Sequence, residues 1–173
     1  MNLLLLEEAF DLRQGKRLVF TNGVFDILHA GHVAYLAEAR KLGDLLIVGL
    51  NTDASARALA KGPGRPINTL EDRAAVVAAL RAVDGVIAFE EATPERLIGI
   101  LKPEVHVKGG DYDPEKMPET PLVRSYGGEV VIFPLLEGRS TSSLLKRMER
   151  ESTGSHEATE SPDSARKSPP ETS

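Results

Sequence analysis

The sequence predicts an α/β protein built on a doubly wound parallel sheet of about five strands, with helices on both faces in three α/β/α layers. Three observations carry that prediction. Five short apolar runs alternate with segments of helical periodicity, the pattern of repeated strand–helix units. The run from Leu45 to Leu50 is apolar at nearly every position, as expected of a strand covered on both faces. Several runs end in polar or glycine-rich clusters: Thr21-Asn22-Gly23, Asn51-Thr52-Asp53 and Gly109-Gly110-Asp111. A parallel sheet gathers such clusters at the rim where its strands end, and ligands bind there.

Length and composition bound the rest. The 173 residues suit one domain, over residues 1–150, followed by a tail over 151–173. From Glu151 onward Ser, Thr, Glu and Pro dominate and apolar residues nearly vanish, so the tail is expected to be disordered. The net charge of -5 argues against wholesale nucleic-acid binding. The absence of cysteine excludes disulfides, thiolate metal sites and a cysteine nucleophile. The opening Met-Asn-Leu-Leu-Leu-Leu-Glu-Glu lacks a basic segment, and its apolar run is too short for a signal peptide. No segment approaches membrane-spanning length, so a soluble cytoplasmic protein is expected, with no membrane and no nucleic-acid partner.

The elements follow in order. Leu5, Leu6, Ala9, Phe10 and Leu12 give a short helix within Leu3 to Arg13, ended near Gly15. The first strand is Leu18 to Phe20, and Gly23 is expected to let the chain leave it sharply by adopting a positive φ. Val33, Leu36, Ala37 and Leu42 then show helical spacing, with Gly43 as the stop. After the second strand, Asn51 and Asp53 are equally readable as ligand contacts or as helix caps. Lys61-Gly62-Pro63-Gly64-Arg65-Pro66 is a loop whose two cations either fold over phosphates or are merely solvated. Thr69 caps a helix through Arg81, with Ala74, Val77, Ala78 and Arg81 along one stripe. Arg73 sits in its first turn, where it opposes the helix dipole and is better explained by a partner or ligand. Val83 to Phe89 is the third strand, and Thr93-Pro94-Glu95 opens a helix to about Leu101, with Thr93 as cap and Pro94 as its first residue. Val105 to Lys108 is a strand, Pro118 to Tyr126 contains a helix, and Glu129 to Phe133 is the last strand. Ser140, Thr141 and Ser142 begin a final helix carrying Leu144, Leu145 and Met148; they serve either as caps or as a phosphate seat.

The chain is organised around Thr21-Asn22-Gly23-Val24-Phe25-Asp26-Ile27-Leu28-His29-Ala30-Gly31-His32, a strand end, tight loop and helix start. His29 and His32 are three residues apart and lie on one helical face, with Gly31 between them presenting no side chain. A helix N-terminus has unsatisfied N–H groups and partial positive charge. Two imidazoles added there make a site for a polyphosphate whose charge grows during reaction. The absence of GxGxxG after the first strand argues against a redox Rossmann protein.

The segment from Gly23 to His32 resembles the GxFDxxHxGH signature of the cytidylyltransferase-like nucleotidyltransferases, a Rossmann-like family of HxGH type. The resemblance extends from about Leu18 to Met148 through Asn51-Thr52-Asp53, Lys61-Gly62, Arg65-Pro66, Leu70 to Arg73, Val107 to Tyr112, and Ser140 to Ser142. Together these are most similar to the adenylyltransferase domain of bacterial ADP-heptose synthesis. That family transfers AMP from ATP to D-glycero-β-D-manno-heptose 1-phosphate, yielding pyrophosphate and a lipopolysaccharide core precursor. The resemblance implies the stand-alone form, since no sugar-kinase domain precedes the motif. CTP-using relatives carry an RTxGxST pattern; here Leu135 stands at its arginine and Arg139 at a variable position.

The resemblance implies roles. His29, His32 and Lys61 are the expected catalytic residues, with Lys61 bridging phosphates. Backbone from Thr21, Asn22, Gly23, Val24 and Phe25, with Gly31 and Ser140 to Ser142, would hold the triphosphate. Gly109, Gly110 and Asp111 would line the nucleotide pocket, and Arg73 is a weaker candidate for phosphate contact. Asp26 would orient a histidine, hold a magnesium-bound water or cap the turn, and Asn51, Asp53 and Arg65 are substrate contacts or caps. Mg²⁺ is expected through ATP phosphates rather than a protein cage. The partners implied are ATP and a sugar 1-phosphate. Apolar helix faces are compatible with a homodimer, although they define no interface. Two alternatives remain: a cytidylyltransferase or FMN adenylyltransferase with another phosphorylated acceptor, and a nucleotide-binding module without turnover.

Overall fold

The computed structural model describes residues 3–59 and 64–134. Lys61, Ser140, Thr141, Ser142, Leu135, Arg139, the expected helix at Leu144 to Met148 and the expected tail 151–173 lie outside the described residues.

The strands are β1 Leu18–Gly23, β2 Leu45–Asn51, β3 Gly85–Phe89, β4 Val105–Gly109 and β5 Glu129–Phe133. They form one sheet in the order β3-β2-β1-β4-β5, and every pairing is parallel. The helices are α1 Leu6–Arg13, α2 Ala30–Arg40, α3 Asp53–Ala58, α4 Leu70–Ala78, α5 Glu95–Leu101 and α6 Glu119–Ser125, with a 3₁₀ turn at Pro114–Lys116. The chain lays β1, β2 and β3 outward in one direction and then returns to place β4 on the other side of β1. The sheet therefore reverses its winding between β1 and β4, which is where a doubly wound sheet opens a crevice.

Strand alternation supplies two cores. Leu18, Phe20, Leu45 and Ile47 meet Ala9 of α1, Leu97, Ile98 and Leu101 of α5, and Val123 of α6 on one face. Val19, Leu46 and Val48 meet Leu36 and Ala39 of α2 and Ala74 and Val77 of α4 on the other. All seven residues of β2 are buried, as its unbroken apolar run implies. Truncating a side chain such as the fully buried Phe20 would cost ~3–5 kcal/mol.

Several boundaries differ from the sequence expectation, each for a local reason. β1 continues past Phe20 to Gly23 because Thr21, Asn22 and Gly23 keep their register with Val48, Gly49 and Leu50 of β2. α2 starts at Ala30, ahead of its apolar stripe. α4 stops at Ala78 rather than Arg81, where Leu80 N–H turns back to the Val77 carbonyl. Pro94 is the N-cap of α5 instead of its first residue, and the Thr93 hydroxyl bonds Glu95 at 2.8 Å. α3 was not anticipated: its six residues are too few for periodicity to register, although Thr52 caps it by accepting from Ser55 N–H at 3.3 Å.

Candidate active site

A cleft of about 560 Å³ opens where the strands end. Its walls come from Asn22 and Gly23 at the end of β1, Val24 and Phe25 after it, His32 and Tyr35 of α2, Asn51 of β2, Thr93 and Pro94 before α5, Lys108 and Gly109 of β4, Tyr112, and Lys116 to Glu119. Thr21 anchors the floor: its hydroxyl lies 2.6 Å from the Tyr35 hydroxyl, which donates to the Val107 carbonyl at 3.0 Å. Tyr35 has one proton to give, so Thr21 donates to it. Burial raises the Tyr35 pKa and keeps the phenol neutral. This chain of bonds ties β1, α2 and β4 together beneath the cleft.

The loop after β1 works differently from the expectation for Gly23. Gly23 ends the strand, and the residue with positive φ is Phe25, at 48°. What Gly23 supplies is room, since a Cβ there would lie 3.0 Å from the Phe25 ring. A left-handed non-glycine residue costs ~1–2 kcal/mol; the burial of Phe25, only 8 % exposed, offsets it. The Phe25 ring in turn lies 5.3 Å from that of His32.

The two histidines are brought together as predicted. Their ring centroids are 3.9 Å apart with planes inclined by 30°. His29 is also the N-cap of α2, its Nδ1 accepting from Gly31 N–H at 3.1 Å. An accepting Nδ1 places the neutral ring's proton on Nε2, so Nε2 is the donor. The His32 N–H returns to the His29 carbonyl at 2.9 Å. The expectation of open first-turn amides is corrected for Gly31 and His32, which spend theirs inside the turn.

Asp26 closes the next loop onto this one. Its carboxylate accepts from Ile67 N–H at 2.8 Å, Asn68 N–H at 3.0 Å and Arg65 Nη1 at 3.0 Å, while Asn68 Nδ2 donates to its carbonyl at 2.6 Å. Burial opposes its ionisation, but the amides of Asn68 and Ile67 and the Arg65 guanidinium outweigh burial and hold its pKa down. Of the roles open to Asp26, the geometry gives it the turn: its oxygens hold 65–68. Arg65, readable from sequence as a phosphate contact, a cap or a solvated charge, spends a guanidinium nitrogen on this clasp and is only 16 % exposed.

Arg73 requires a correction. Its side chain is wholly buried. Nε donates to the Asn68 carbonyl at 3.1 Å, Nη1 to the Val24 and Asn51 carbonyls at 2.7 and 2.9 Å, and Nη2 to Asp53 at 2.6 Å. The partner inferred for it is therefore the protein's own backbone and Asp53, and it holds the ends of β1 and β2 instead of meeting a phosphate. Asp53 is the first residue of α3, and Asn51 turns its amide to Ser55 Oγ at 2.9 Å. Beyond β4, Gly109 lines the cleft, Gly110 is buried with a φ of 140° that suits glycine, and Asp111 is exposed to solvent.

Three residues of the cleft region were missed. Lys108 lies on the wall with its ammonium 3.5 Å from Glu119 Oε1, and His106 Nε2 lies 3.4 Å from the same oxygen. Burial pushes the His106 pKa down and keeps the ring neutral. Burial also opposes the Glu119 charge, yet the His106 bond, a backbone amide and the Lys108 ammonium bring its pKa down to about 2. Lys108 carried a signal, a cation following an apolar run at a strand's end. Glu119 carried none, because only the tertiary fold brings it beside β4. Among the described residues no group of three or more histidine, aspartate or glutamate side chains could hold a metal, and no helix is long and apolar enough to cross a membrane.

A parallel sheet reversing at its first strand, with two imidazoles in ring contact at the following helix start, defines a nucleotidyltransferase-type α/β protein. The chain belongs to the cytidylyltransferase-like family, whose model matches residues 20–144. It is 55 % identical over 136 residues to the D-beta-D-heptose 1-phosphate adenylyltransferase of Bordetella bronchiseptica, covering 79 % of this chain and 84 % of that one. It is 54 % identical over 136 residues to the bifunctional protein HldE of Syntrophotalea carbinolica, again over 79 % of this chain, but it spans only 28 % of that longer protein. Among solved structures, the lipopolysaccharide core biosynthesis protein from Thermoplasma volcanium GSS1 superposes with a TM-score of 0.58 at 34 % identity, covering 72 % of this chain and all of that one.

Proposed function

We propose that this protein transfers AMP from ATP to D-glycero-β-D-manno-heptose 1-phosphate, giving ADP-heptose and pyrophosphate for lipopolysaccharide core synthesis. The observation that carries the reading is the 55 % identity, over most of both chains, to an enzyme named for that acceptor. The cleft suits the chemistry. An oxygen of the sugar phosphate attacks the α-phosphorus of ATP, a new P–O bond forms, the α–β bridging bond breaks, and pyrophosphate leaves. The attacking oxygen is already ionised at neutral pH, so positioning and charge stabilisation supply the acceleration. His29 donates from Nε2, and His32, held between Phe25 and His29, stands beside it to meet the charge that develops on the phosphates. Lys61 would bridge phosphates from the loop before Arg65. Mg²⁺, carried in by ATP, would neutralise phosphate charge; the donor set fits this, because Asp26 is spent on its clasp and the metal would rest on phosphate oxygens.

Pyrophosphate release tests the reading, crossing ATP, CTP and GTP with heptose 1-phosphate, glycerol 3-phosphate and FMN in the presence of Mg²⁺. Release with ATP and heptose 1-phosphate alone is the expected result. Release with CTP and an alcohol phosphate would overturn the acceptor while keeping the reaction type. Lys61→Ala should lower turnover; unchanged kinetics would return Lys61 to a solvated loop.

A further inference from the structure

Lys108 and Asn22 stand side by side on the α6 side of the rim. The register pairs Thr21 of β1 with Val107 of β4, so the next residues, Asn22 and Lys108, are level with one another. Alternation puts Asn22 on the face of Phe20 and Lys108 on the face of His106, and those two rings stack at 5.7 Å. Both residues line the cleft. The histidine pair belongs to α2, which packs on the opposite face of the sheet.

Each of the two side chains offers a different contact. The Lys108 side chain is 17 % exposed and aimed by Glu119, whose carboxylate is itself fixed by His106. A buried ion pair gains little over an apolar pair of the same shape, so stability does not account for an ammonium held at a cleft surface. Glu119 is the one carboxylate among the described residues lining the cleft. Asn22 Oδ1 is buried and, among the described residues, has no hydrogen-bond partner. Such an oxygen is satisfied when a donor arrives. A ligand suited to this wall brings an anion to Lys108 and a hydroxyl to Asn22.

We infer that this wall is the acceptor subsite: Lys108 binds the phosphate of the sugar phosphate, Asn22 Oδ1 accepts from a sugar hydroxyl, and Glu119 with His106 are positioning residues for Lys108. The inference rests on the adenylyl-transfer reading above and assigns the two walls separate tasks, with ATP phosphates on the α2 side and the acceptor on the α6 side.

Calorimetric titration of ATP, heptose 1-phosphate and free heptose separately into wild type and variants decides it. Lys108→Met should weaken heptose 1-phosphate ~10–100-fold, the range for losing a charged hydrogen bond. ATP affinity should stay within about twofold, which also shows that the variant is folded, and Lys108→Arg should recover most of the loss. Wild type should prefer heptose 1-phosphate to heptose, and Lys108→Met should erase most of that preference. Glu119→Gln should cause a smaller loss that adds nothing to Lys108→Met, as a residue acting through Lys108 requires. Unchanged sugar-phosphate affinity in Lys108→Met, or a parallel fall in ATP affinity, would overturn the assignment. If wild type released pyrophosphate only with another phosphorylated acceptor, the proposed acceptor would fall, and the same Lys108→Met comparison on that acceptor would still decide for or against Lys108.

Discussion

Arg73 Nη2 lies 2.6 Å from Asp53 Oδ1, joining the first turn of α4 to the first residue of α3 through a guanidinium with no exposed surface. Three carbonyls, from Val24, Asn51 and Asn68, converge on the same group. Removing it strands an aspartate and three acceptors at the point where β1 and β2 end. Arg73→Met should therefore destabilise the protein by ~3–5 kcal/mol, the cost of leaving several carbonyl acceptors without their donor at a buried site. Urea unfolding checks this. A variant as stable as wild type but with impaired phosphate binding would instead return Arg73 to the substrate.

His29 caps α2, and in the proposed reaction it also meets the phosphates; substitution can separate the two tasks. His29→Ala should lose ~10²–10³-fold in kcat, by analogy with loss of one preorganised donor, and also ~1 kcal/mol of stability from the lost cap. His29→Asn restores a good capping side chain without an imidazole, so its stability should recover while its turnover stays low. His32→Ala should lose turnover without the capping penalty. Saturating-ATP kinetics beside thermal melts resolve these cases, and near-full turnover in either alanine variant would remove that histidine from the phosphate role.

Asp26→Asn removes the charge that gathers Arg65, Ile67 N–H and Asn68 N–H. Hydrogen exchange at the Ile67 and Asn68 amides should accelerate by about tenfold or more, the equivalent of ~1–3 kcal/mol of local stability. Unchanged exchange would show that the segment holds its place by packing alone.

The Glu119 pKa sits at about 2 against an ordinary 4.5. A depressed carboxylate contributes stability that is present above its unfolded pKa and is lost as pH falls through its folded one. Wild type should therefore lose more stability between pH 4.5 and about 2 than Glu119→Gln does, by on the order of 2 kcal/mol. Denaturant melts at pH 6, 4 and 2.5 read the difference; parallel pH profiles would show that Glu119 carries no such charge pairing.

Local pattern went far in this chain. The five strands were visible because each is a short apolar run and most are closed by polar or glycine-rich residues, and the histidine pair because both members fall within one turn of helix. α3 escaped notice because its six residues make fewer than two turns. Arg73 was rightly seen as needing a partner, but nothing near it in sequence says that the partner is protein rather than phosphate. Its bonds reach across 22 and 49 residues to Asn51 and Val24. The Glu119–His106 contact is a product of the β4–α6 packing in the same way. Periodicity reports which face of an element is apolar; it is silent on which polar groups the fold brings face to face.

The cleft also carries its own spectroscopic reporters. The sequence has no tryptophan and three tyrosines, and two of these, Tyr35 and Tyr112, form part of the cleft lining. Excitation near the tyrosine band is therefore not drowned by an indole elsewhere, and the emission is weighted toward the cleft. Tyr112, 54 % exposed, will respond to quenching by an arriving base or phosphate, whereas the half-buried Tyr35, hydrogen-bonded at the cleft floor, supplies a steadier internal reference. Ligand titrations and stopped-flow kinetics can thus be run on the unlabelled wild-type chain, with a single Tyr112→Phe substitution to assign the signal.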